Sequence, residues 1–113
     1  MPLRRSYTAS VERNVLWQGD FATEPYEAAW ASEAIFFVRA LDVDTDFGGA
    51  EAHVQISADG IRWVDEGTTM SLPTAKDAVT FCKVAHFGGF LRIKGALAPD
   101  EKIKVLVSLV LKE

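Results

Sequence analysis

Hydrophobic and polar residues alternate with a period of two through most of the chain. In residues 102–112 the odd positions Ile103, Val105, Val107, Leu109 and Leu111 are all apolar, the pattern of a β-strand with one face in a core. The even positions read Lys102, Lys104, Leu106, Ser108, Val110 and Lys112, basic at the ends and apolar in the middle, so Leu106 and Val110 call for partial cover. Comparable runs rich in Val, Ile, Phe, Thr and Trp predict strands over residues 7–12, 15–18, 34–41, 51–57, 61–65, 78–86 and 90–94. Short turn signals such as Gly48-Gly49, Asp59-Gly60, Gly88-Gly89 and Pro99-Asp100 separate the runs, and none is long enough to be a domain linker. About eight such strands predict an all-β, antiparallel β-sandwich of jelly-roll type. It forms a single domain over residues 14–113, preceded by a short exposed arm, residues 1–13, that carries Arg4, Arg5 and Arg13.

The spacing predicts two hairpins. Asp59-Gly60 between alternating runs suits a two-residue turn, which pairs Ile56 with Trp63 and turns Val54, Ile56, Ile61 and Trp63 into the core. A three-residue loop with a bulge would instead shift the pairing by one and turn Trp63 outward beside Gln55. Gly88-Gly89 predicts the second hairpin, joining 78–86 to 90–94. Tyr26, Ala29 and Trp30, spaced i, i+3, i+4 behind Pro25, predict a helical turn.

Residues 34–41 are apolar on both faces apart from Arg39, whereas a sandwich normally leaves one face of each sheet in water. Something must cover the outer side, either the N-terminal segment or another subunit. We expect Phe36, Val38, Leu106 and Val110 to form that outer contact, with Arg4 and Arg5 of the arm reaching a neighbour.

Composition narrows the function classes. Of 113 residues 49% are hydrophobic and 25% charged, which excludes low-hydrophobicity disorder. A net charge of −4 argues against a nucleic-acid binder. The charge is uneven, with twelve acidic and three basic residues over 12–66 but seven basic and four acidic over 67–113. Cys82 is the sole cysteine, so no internal disulfide forms, and it reads as a small buried hydrophobe. No apolar stretch follows Arg4 and Arg5, and no run approaches the ~18 residues of a membrane span. Cytoplasmic synthesis without a signal peptide, and no membrane partner, are therefore expected.

Candidate chemistry is sparse. Asp42, Asp44 and Asp46 alternate as in a calcium loop, but Gly48 stands at the seventh position and His53 at the twelfth, where a bidentate Glu is needed. Cys82, His53 and His86 lack paired metal-ligand spacing. No nucleophile elbow or phosphate-cradling loop is present, so we expect neither an enzyme nor a cofactor. Trp17, Phe21, Tyr26 and Trp30 lie close together in an acidic stretch. Trp17, Tyr26 and Trp30 are the candidates for a glycan platform, if they do not simply staple the first segment to the sandwich.

The Ser57-x-Asp59-Gly60-x-x-Trp63 hairpin, the Phe90-Leu91-Arg92-Ile93 run and the apolar C-terminal strand together resemble small β-sandwich modules known in two settings. These are galactose-binding-like carbohydrate-binding domains and accessory proteins of tailed bacteriophage particles. The resemblance spans roughly residues 34–112 and implies a jelly-roll-like sandwich. It also implies a non-enzymatic structural module, such as a capsid decoration or minor virion protein that forms homo-oligomers and touches capsid or tail proteins. The alternative it leaves open is a carbohydrate-binding module.

Overall fold

In a computed structural model, which describes residues 5–43 and 47–113, the alternation resolves into nine strands among the described residues. They are β1 (Ser6–Gln18), β2 (Asp20–Ala22), β3 (Tyr26–Glu27), β4 (Glu33–Val43), β5 (Glu51–Ser57), β6 (Val64–Ser71), β7 (Val79–Ala85), β8 (Phe90–Ala96) and β9 (Lys102–Lys112). Every pairing is antiparallel. The first sheet has the order β1-β9-β4-β7. The second has β2-β8-β5-β6, with β3 also on β8 beyond β2. Apart from β2 to β3 and the β5–β6 hairpin, each connection carries the chain from one sheet to the other. This is the jelly-roll plan, in which two stacked sheets share one core.

Inward positions follow the alternation. Ile103, Val105, Val107, Leu109 and Leu111 of β9 are all buried, as the pattern predicts. They face Val54 of β5 and Leu91 and Ile93 of β8, likewise buried. Thr23 bridges β2 and β3 along the edge of β8. Its N–H donates to the Ile93 carbonyl at 2.9 Å and its Oγ1 accepts from the Ile93 N–H at 3.1 Å, so a buried hydroxyl stands in for a ladder partner.

Five expectations need correction. Phe36 and Val38 point inward, with no exposed surface, because β4 pairs Phe36 with Leu109 and Val38 with Val107, both core positions. The outward side chains of β4 are Ile35, Phe37 and Arg39. From Ser6 onward the expected arm is strand β1, paired with β9 along its length, with irregularities between Ser10 and Val15 where Asn14 adopts a φ of 53°. Backbone ladder bonds to β9 order this segment. Arg4 lies outside the described residues.

The β5–β6 connection is longer than a two-residue turn and pairs Ile56 with Val64. Ser57 Oγ accepts from the Asp59 and Gly60 amides, and Asp59 Oδ1 accepts from the Ile61 and Arg62 amides at 2.8 Å each. These side-chain caps wrap the chain around Asp59 and shift the register by one, so Trp63 lies on the outer side and Ile61 is exposed. Finally, Gly88-Gly89 makes no hairpin, because β7 and β8 belong to different sheets. The chain instead crosses between the sheets there, with His86 at a φ of 57° and Gly88 and Gly89 beside the Ser57 and Ala58 carbonyls. Between β3 and β4 the expected helical turn shrinks to one bond, from the Ala31 N–H to the Ala28 carbonyl at 3.0 Å.

Candidate functional site

The outer face of the first sheet carries exposed and half-buried apolar side chains from three adjacent strands. Cross-strand register builds it in rows. Val110 of β9, Ile35 of β4 and Lys83 of β7 form one row. Ser108, Phe37 and Phe81 form the next, and Leu106, Arg39 and Val79 the third. Phe37 and Phe81 meet with ring centroids 6.0 Å apart at 36°. Phe81, within β7, is 56% exposed, and Val79, the first residue of that strand, 53%. Leu106 and Val110, expected at an outer contact, are on this face and half-buried.

Charge surrounds these rows. Glu33, Lys83 and Lys112 flank a depression of about 340 Å³ at one end, and Lys104 and Asp42 stand at the other. Arg39 donates to Asp77 Oδ1 at 2.9 Å, an exposed pair that holds the guanidinium aside from the aromatic rows.

The outer face of the second sheet is polar. Asp20, Glu51, His53, Gln55, Asp65 and Lys94 line an open groove of about 410 Å³. Gln55 is its hinge: its Nε2 donates to Asp65 Oδ1 at 2.9 Å and its Oε1 accepts from Arg92 Nε at 2.8 Å. The Arg92 guanidinium lies 4.3 Å from the Trp63 ring centroid, so the residue expected in the core forms a cation–π stack on this surface.

A third feature lies at the open side of the sandwich, where β1 and β3 approach from different sheets. Arg5, Ser6, Tyr7, Tyr26 and Trp30 line a depression of about 380 Å³. Burial, and then the neighbouring Tyr7 phenol, push the Tyr26 hydroxyl above its ordinary pKa. Of the three aromatics expected to form a glycan platform, the fold brings Tyr26 and Trp30 to this cleft and withdraws Trp17. Trp17 is 4% exposed and stacks on Phe21 at 4.1 Å and 6°, a staple between β1 and β2. Tyr7, which replaces it at the cleft, was hidden from sequence reasoning because only the pairing of β1 with β9 brings it there.

The remaining candidates do not converge. Asp42 is exposed and its Oδ1 accepts from the Val43 amide at 3.0 Å, while Asp44 and Asp46 lie outside the described residues. Among the described residues no three His, Cys, Asp or Glu side chains are grouped to hold a metal ion. His53 is on the polar groove and His86 in the β7–β8 crossover, far apart in the topology. Cys82 is buried in β7, and desolvation raises its thiol pKa to about 11, which leaves it protonated and inert at neutral pH. Among the described residues no helix is long and apolar enough to cross a membrane.

Sequence comparison with protein families and with curated proteins finds no match. Structural comparison finds a likeness of fold. The crystal structure of the SPBc2 prophage-derived protein YomS superposes with a TM-score of 0.65 at 6% identity, over 100% of this chain and 97% of that one. The chain and YomS therefore share an all-β architecture along their whole lengths.

Proposed function

We propose that the protein is a non-enzymatic structural or assembly module that works by protein–protein contact. The contact surface is the outer face of the first sheet and its occupant is a second copy of the chain. The observation that carries this reading is the exposed Phe81 against the half-buried Phe37, continued by Ile35, Val79, Leu106 and Val110 across three strands. A contiguous apolar patch on a sheet face is a contact surface in search of cover. A two-fold axis lying across the strands brings the end of one protomer that carries Glu33, Lys83 and Lys112 over the end of its partner that carries Asp42, Lys104 and the Arg39–Asp77 pair, so that charges of both signs ring the stacked apolar rows.

The likeness to a prophage-derived protein supports an accessory role in a phage-type particle, as a decoration or minor virion component whose oligomer meets capsid or tail proteins. Sedimentation equilibrium tests the proposal. The expected result is a mass that rises with concentration to a defined oligomer, and Phe81→Asp returning it to the monomer with unchanged circular dichroism. A monomer throughout the concentration series, or an oligomer indifferent to Phe81→Asp, would overturn it.

A further inference from the structure

The two exposed aromatic surfaces differ in kind. The first sheet presents phenylalanines among aliphatic residues, whereas the side cleft presents two tyrosines, a tryptophan, an arginine and a serine. Each aromatic of the cleft therefore pairs an apolar ring with a polar tip, a surface suited to a ligand that alternates C–H and O–H groups. Tyr7 is 54% and Trp30 41% exposed, so their rings are reachable from solvent.

The backbone behind these rings is fixed. Ala28, fully buried, donates its N–H to the Gly89 carbonyl at 2.8 Å, and the Ala31 and Ser32 amides donate to Ala28 and Lys112 carbonyls at 3.0 and 2.9 Å. These bonds hold the turn that carries Trp30. On the opposite wall, the Glu113 N–H donates to the Arg5 carbonyl at 2.9 Å and its carboxylate accepts from the Arg5 guanidinium at 3.3 Å. The guanidinium stands 6.0 Å from the Trp30 ring centroid. Three separated segments thus deliver four amphipathic side chains to one preorganised spot, which lowers the entropic cost of binding.

We propose that this cleft is a saccharide-binding site. Trp30 provides the platform for a sugar face, while the Tyr7 and Tyr26 hydroxyls, Ser6 and Arg5 provide hydrogen bonds to ring substituents. A volume of about 380 Å³ matches a small-ligand site, whereas a protein partner needs ~800 Å² of surface, far more than five residues around a depression supply. The net charge of −4 disfavours a polynucleotide.

The test is a ¹H–¹⁵N correlation titration of the full chain with neutral hexasaccharides of glucose, galactose, mannose and N-acetylglucosamine, and with decaproline as a protein-like ligand. The three tryptophan indole N–H signals report separately on Trp17, Trp30 and Trp63. At least one saccharide is expected to move the Trp30 signal and leave those of Trp17 and Trp63 in place. Trp30→Ala and Tyr26→Phe are expected to weaken that binding, the former by about tenfold or more, as for loss of an aromatic anchor. Dispersed spectra of both variants verify the fold. No response to any of the saccharides, a response confined to Trp63, or a response to decaproline alone would overturn the proposal.

Discussion

Gly95 is the position where the packing leaves least room, and Gly95→Ala tests whether the staple between β1 and β2 is as rigid as its geometry implies. A Cβ at Gly95 would stand 2.6 Å from Phe21 Cζ, 2.9 Å from Phe21 Cε1 and 2.8 Å from the Glu51 carbonyl oxygen. Carbon pairs pack at about 3.5–4.0 Å, so the ring must withdraw by roughly 1 Å. It has nowhere to go, because its neighbour Trp17 lies stacked at 4.1 Å and is itself buried. The Glu51 oxygen is backbone of β5, and Ala52 beside it is held opposite Gly95 in the ladder. Overpacking of this kind costs about 3 kcal/mol, the upper part of the usual range. For a domain of this size that is a fall of about 10–15 °C in Tm.

Urea unfolding at one fixed, low protein concentration measures the change without interference from self-association. The double variant Phe21→Ala/Gly95→Ala is expected to be less destabilised than the sum of the single variants, because the ring clash is absent once the ring is removed. A Gly95→Ala protein within about 0.5 kcal/mol of wild type would refute the reasoning, since ordinary surface substitutions fall in that range.

Phe36→Ala removes a fully buried ring and is expected to cost about 3–5 kcal/mol in the same assay, whereas Phe81→Ala on the outer face is expected to cost about 1 kcal/mol or less. Asp59 has its pKa lowered from 3.8 to about 2, chiefly by the Arg62 and then the Ile61 amide. The charged form is the one the fold favours, so its contribution to the loop is complete above about pH 4 and lost as pH falls through about 2. The Ile61 and Arg62 amide shifts are expected to titrate with that low midpoint, and to lose the transition in Asp59→Asn. Cys82, with its thiol pKa at about 11, is expected to resist a disulfide reagent at neutral pH until denaturant unfolds the chain.

How much was legible in the sequence depended on whether alternation broke the symmetry between the two sides of a strand. In β9 lysines mark the outer side and an unbroken aliphatic series the inner, and β5 is framed by Glu51 and the Ser57 turn, so the limits of both follow from the pattern. β4 is apolar on both sides. Nothing local distinguishes Phe36 from Phe37, and only registration against Leu109 and Ser108 of β9 decides which is core. The Asp59-Gly60 turn misled for a different reason. The motif fits a two-residue hairpin, but the Ser57 and Asp59 oxygens offer the backbone a competing set of acceptors, and these win. β2 and β3 have three and two residues, too few to show a period. The cleft combines Tyr7 with Tyr26 and Trp30, a meeting created by the jelly-roll crossover and absent from any local spacing.

The proposed function depends on where two copies touch. Concentration-dependent chemical-shift mapping locates that contact residue by residue: the protein is recorded dilute and concentrated, and the shifted amides are placed on the two sheets. The changes are expected on the outward residues of β4, β7 and β9, centred on Phe37, Phe81 and Val110, as a contact on that face requires. Changes centred instead on His53, Gln55 and Lys94 of the second sheet, or spectra that do not change with concentration, would contradict it.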